Sequence, residues 1–88
     1  MAQFDAMNIE RVIRGAQTKA DAYCNLGLIY ATGKNGRVDM VAAHKWLNIA
    51  AIKGSERAVG LRADLSRKMD KADLAMALRE AREWMTMH

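Results

Sequence analysis

The sequence contains no proline and a single cysteine, Cys24. Without proline, nothing in the chain forces a break in an α-helical hydrogen-bond ladder. One cysteine cannot close an internal bridge, so a disulfide-stapled scaffold is excluded and no oxidising compartment is implied. β-branched residues are few and scattered, which speaks against sheet. No apolar run approaches the roughly 20 residues needed to span a bilayer, so no contact with a membrane is expected. The opening residues, Met1-Ala2-Gln3-Phe4-Asp5, lack the basic stretch and apolar run of a secretory leader. A cytoplasmic location is therefore the expectation. Charge of one sign is not concentrated either. Residues 1–52 hold six Lys/Arg and four Asp/Glu, residues 53–88 eight and six, so each part contributes +2 to the net charge of +4. A phosphate-binding face shows as a dense basic stripe, whereas here acids are interleaved throughout.

What is present is helix-forming. Hydrophobic residues make up 51% of the 88 positions, and Ala, Leu, Met, Lys, Arg and Glu, all good helix formers, dominate. The length implies one domain. A chain of this size buries only about 60–65% of the surface its unfolded form exposes, so modest stability is expected.

Glycines punctuate a helical pattern at Gly33, Gly36 and Gly54, and five helical segments result. The first runs from about Asp5 to Ala16, with Ile9, Val12, Ile13 and Ala16 on one stripe. The second covers Lys19 to Thr32, with Thr18 as N-cap and Ala22, Leu26, Ile29 and Tyr30 on its apolar face. The third, Met40 to Lys53, starts from Asp39 and turns Ala43, Trp46, Leu47, Ala50 and Ala51 inward. The fourth, Glu56 to Lys68, is capped by Ser55 and lined by Ala58, Leu61, Leu65 and Met69. The fifth, Lys71 to Met85, is capped by Asp70 and carries Leu74, Ala77, Leu78, Ala81, Trp84 and Met85. Short links between them favour antiparallel neighbours.

The pattern repeats. Gly54-x3-Ala58 echoes the entry to the second segment at an offset of 36 residues, and Ala43-x2-Trp46-Leu47 echoes Ala81-x2-Trp84-Met85 at 38. Such periods are the mark of repeat architectures. The stretch Ala22-x3-Leu26-Gly27-x2-Tyr30-x2-Gly33, then Val38-Asp39, then Ala43-x2-Trp46-Leu47-x2-Ala50-Ala51-x2-Gly54-x3-Ala58 resembles the Sel1-like repeats, a branch of the tetratricopeptide-repeat superfamily. The resemblance implies an all-α fold, a short α-solenoid of antiparallel helix pairs with about five helices. Residues 1–18 would form an N-terminal capping helix, 19–54 the main repeat and 55–88 a degenerate C-terminal capping repeat. In that last unit Arg62 stands where Leu is expected, and Ala63 where Gly is. It looks similar to the helix pair that closes bacterial Sel1-like proteins.

The resemblance also implies a function: a protein or peptide partner held on the concave face, with no chemistry performed. The concave positions fall near Asp21, Asn25 and Leu28 in the first unit, and near Arg57, Asp64, Arg67 and Lys68 in the second. Their basic members suit an acidic peptide or carboxylate. Solenoids generally need about three repeats to stand alone, and methionines at 7, 40, 69, 76, 85 and 87 adapt well to irregular contacts. A homodimer through a terminal helix is therefore expected.

Other constellations favour structural readings. Gly27 to Gly33-Lys34-Asn35 differs from a phosphate loop in spacing, in having Asn for Ser/Thr, and in following a helix instead of a strand. His44 and His88 have no further ligands at metal-binding spacing, and His44 is expected at the surface or its boundary. Cys24 has no base positioned by sequence and reads as a structural cysteine. Trp46 and Trp84 occupy equivalent repeat positions and read as packing residues; stacking platforms for bases are the alternative. Asp70 and Asp73 suit helix N-termini; with Asp64 they make no evident acid–base pair. The expected protein is a non-enzymatic adaptor or regulator without cofactor or metal. The alternative is a small basic nucleic-acid-binding regulator, which the even charge distribution disfavours.

Overall fold

A computed structural model describes residues 18–88, which form four helices and no strand. The helices are α1 (Lys19–Thr32), α2 (Met40–Ile52), α3 (Glu56–Ser66) and α4 (Lys71–Met87). The described chain is all-α. The helix expected over Asp5 to Ala16, and with it nearly all of the N-terminal cap, lies outside the described residues.

Each helix begins where a short polar side chain satisfies a backbone donor. Thr18, Asp39, Ser55 and Asp70 accept from the N–H groups of Asp21, Ala42, Ala58 and Asp73. Helix α1 ends at Gly33, whose φ of 76° lies in the left-handed region and lets its N–H reach back to the Ile29 carbonyl at 3.0 Å. The Asp39 N–H then bonds the Tyr30 carbonyl at 3.0 Å, tying the start of α2 to the end of α1. Three ends differ from the periodicity. Helix α2 stops at Ile52, one residue before the expected Lys53. Helix α3 stops at Ser66, two residues before the expected Lys68, because the Lys68 N–H bonds Leu65 at 2.9 Å in a tighter turn. Helix α4 runs on through Met87, past the expected Met85.

Helix α2 is the common partner. Helices α1, α3 and α4 each pack extensively on it, and direct contact among those three is slight. Its sequence allows this because three of its faces carry different chemistry. Small and aliphatic Ala43, Leu47 and Ala50, all buried, form the core with Cys24, Ala58 and Leu65. Toward α3, His44 and Asn48 are polar yet buried. Toward α4, Trp46 meets Trp84 with ring centroids 5.3 Å apart.

The α1–α2 contact is the most extensive and depends on Gly27. A Cβ placed there would lie 2.7 Å from Leu47 Cγ and 3.1 Å from the Ala43 carbonyl oxygen. The helices therefore approach as closely as the small residue permits. Helix α4 uses the same device through Ala77 and Ala81, both fully buried one turn apart. The unit expected as a closing helix pair is thus arranged with α3 and α4 each on α2, more than on each other. Among the described residues no helix is long and apolar enough to cross a membrane.

Candidate partner-binding groove

Because α1 and α3 share α2 but hardly touch, a trough of about 470 Å³ opens beside them. It is lined by Asn25, Leu28, Ile29, Thr32, Lys34 and Arg57. The first four follow i, i+3, i+4, i+7 spacing and form one face of α1. Lys34 enters just beyond the Gly33 turn, and Arg57 comes from the first turn of α3.

Three of the residues expected on the concave face, Asn25, Leu28 and Arg57, meet in this trough. Asp21, Asp64, Arg67 and Lys68 do not line it. The Asp21 N–H is engaged by the Thr18 cap. Asp64 and Arg67 pair with each other on the exposed side of α3. Lys68 is exposed beyond the helix end. The sequence reading left Ile29 and Thr32 out, although the spacing from Asn25 and Leu28 places them on the same face. It missed Lys34 because the left-handed turn at Gly33, which is not periodic, decides where that side chain emerges.

The polar groups of the trough are unequally committed. The Thr32 hydroxyl donates to the Leu28 carbonyl at 2.8 Å. Among the described residues, the side chains of Asn25, Lys34 and Arg57 have no hydrogen bond or ion pair. The lining therefore offers an amide with donor and acceptor free, two unpaired cations, and an apolar strip from Leu28 and Ile29.

A second polar feature joins α2 to α3. His44 is 1% exposed, not at the surface as expected, because α3 covers it. The Ser66 hydroxyl donates to the Arg62 carbonyl at 2.8 Å, the ordinary back-bond of a helical serine. That leaves its lone pair to accept from His44 Nε2–H, also at 2.8 Å. The imidazole proton is thus placed on Nε2, and Nδ1 is buried with no partner among the described residues. Burial, and secondarily the Arg62 charge, hold the His44 pKa below its ordinary 6.5. One turn along, Arg62 Nη1 donates to Asn48 Oδ1 at 2.7 Å. A serine nucleophile needs its proton aimed at the imidazole and a group orienting the other ring nitrogen. Here the serine proton points to a carbonyl and, among the described residues, Nδ1 faces no orienting group; the His44–Ser66 bond ties α2 to α3.

The remaining candidates are likewise packed. Cys24 is buried in the core. Tyr23 stacks on Trp46 at 5.7 Å, and Trp84 stands edge-on to both rings at 5.3 Å. His88 stacks on Trp84 at 4.2 Å, and the Lys45 ammonium sits over Trp46. The two tryptophans are therefore held against each other and against Tyr23. Among the described residues no group of three His, Cys, Asp or Glu side chains is placed to hold a metal. No family model matches the chain, and no match was found among curated proteins or solved structures.

Proposed function

We propose that the chain is a non-enzymatic interaction module, a short Sel1-like solenoid of about five helices. It binds a peptide or protein partner as a cytoplasmic adaptor or regulator. One observation carries this reading: Asn25, Leu28 and Arg57, from two separate helices, line a single open trough with uncommitted polar groups. The resemblance of residues 22–58 to the repeat family supports it.

The chain also associates with a second copy through a terminal helix. Met76 and Leu78 of α4 are exposed, and Met87 at its end is 79% exposed. Light scattering across protein concentration tests this; a mass of 9.8 kDa throughout would remove the dimer from the proposal.

The experiment for the partner site is selection from a displayed random-peptide library, with binders measured against the wild type and against Leu28→Ser. The expected result is a set of binders that lose at least tenfold in affinity with Leu28→Ser. A library without binders, beside duplex DNA binding that falls steeply with salt, would replace this reading with the nucleic-acid one.

A further inference from the structure

The described lining of the trough is charged with one sign. Among the described residues that line it, two of six are cations, Lys34 and Arg57, and none is an acid. Glu56 adjoins Arg57 in sequence but does not line it. Elsewhere on α3 an arginine finds an acidic neighbour, since Arg67 pairs with Asp64. Arg57 and Lys34 find none among the described residues. Arg57 also sits in the first turn of α3, where the helix dipole is positive. At the other end, several carbonyls near the end of α1 are occupied. Ile29 accepts from Gly33 and Lys34, Tyr30 from Asp39, and Leu28 from the Thr32 hydroxyl. The negative potential of those carbonyls is thereby reduced.

Length narrows the ligand further. From Asn25 to Thr32 the α1 face extends about 10 Å at 1.5 Å per residue. An extended peptide covers that distance with about three residues. Between the polar ends lie only Leu28 and Ile29. The complement is an acidic side chain next to an apolar one, on a segment whose backbone meets the free Asn25 amide.

We infer that the trough selects acidic peptide segments, seating a side-chain carboxylate at Lys34 and Arg57 and a neighbouring apolar residue on Leu28 and Ile29. The inference deepens the proposed function and rests on the trough being the partner site. A charge-assisted contact to Arg or Lys exceeds a neutral one.

The test is fluorescence anisotropy with three labelled octapeptides of Glu, Leu and Ser. Their C-termini are amidated, so that side chains supply the only carboxylates. The second peptide carries Gln for every Glu, and the third carries Lys. The glutamate peptide is expected to bind, the glutamine peptide at least tenfold more weakly, and the lysine peptide not at all. Lys34→Gln and Arg57→Gln should each weaken the glutamate peptide about tenfold and leave the glutamine peptide unchanged. Arg67→Gln, on the other side of α3, should change nothing.

Equal binding of the glutamate and glutamine peptides, both lost with Leu28→Ser, would overturn the charge selectivity and leave the peptide site standing. A loss with Arg67→Gln as large as with Arg57→Gln would overturn it too, since attraction would then be diffuse. No binding by any of the three, with no displayed binder either, would defeat this inference and the proposed function together.

Discussion

Single atoms decide much in a core this small. Gly27 shows it: the methyl group of alanine would enter the space held by Leu47 and the Ala43 carbonyl. Alanine is the better helix former by about 1 kcal/mol, but overpacking costs about 1–3 kcal/mol. Gly27→Ala is expected to lower stability by up to about 2 kcal/mol, read as a reduced urea midpoint; a higher midpoint would show that the helices can part. His44 sets the pH response. Its folded pKa is lowered, so the unfolded chain takes up the proton first. The stability from its neutral form is complete above pH 6.5 and declines as pH falls below that value. A second proton on Nδ1 would meet no acceptor in the described fold. His44→Gln should flatten the urea midpoint between about pH 7 and pH 5 relative to the wild type; an equally steep decline would mean other groups govern it. Sequence alone made Gly27 legible through its place in the repeat pattern. It did not reveal the burial of His44, because a histidine next to an inner stripe becomes core only when a third helix covers that side.

The helices themselves were the most legible part. Every described N-cap sits where a short polar residue precedes an apolar period, at Thr18, Asp39, Ser55 and Asp70. The ends were less so: α3 tightens and stops at Ser66, and α4 passes Met85, since neither event depends on apolar spacing. The cap of α4 offers a clean test. Asp70 is exposed and accepts from the Asp73 N–H at 2.8 Å. Asp70→Ala should cost about 1 kcal/mol, whereas Asp70→Asn, which keeps the acceptor, should cost much less. Equal losses in thermal unfolding would assign the effect to charge at the helix end instead of to the hydrogen bond. The trough follows the same division. Asn25, Leu28 and Arg57 were accessible through repeat positions, and Ile29 and Thr32 through helical spacing, but Lys34 depends on how the chain leaves Gly33.

Across the whole molecule, α2 organises the described fold. The pairing of α1 with α2 was readable because both halves of the repeat pattern lie in consecutive segments. The seating of α3 and α4 on α2 was not, since Arg62, which stands where the repeat pattern has Leu, bonds Asn48, and Ser66 bonds His44. Helix α4 approaches α2 through Ala77 and Ala81, neither of which leaves any exposed surface. Ala81→Leu should therefore displace α4 and lower stability by about 1–3 kcal/mol; retention of the wild-type midpoint would show that this contact yields freely. The aromatic cluster gives that displacement an optical signature. Trp46 belongs to α2, Trp84 to α4 and Tyr23 to α1, and all three rings lie within 6 Å of one another, centroid to centroid. Aromatic rings this close are expected to couple, so the near-ultraviolet ellipticity of the chain should report whether α4 stays packed on the first two helices without any attached label. His88 stacks on Trp84, so fraying of the last turn is expected to change the emission of that indole before the whole helix departs.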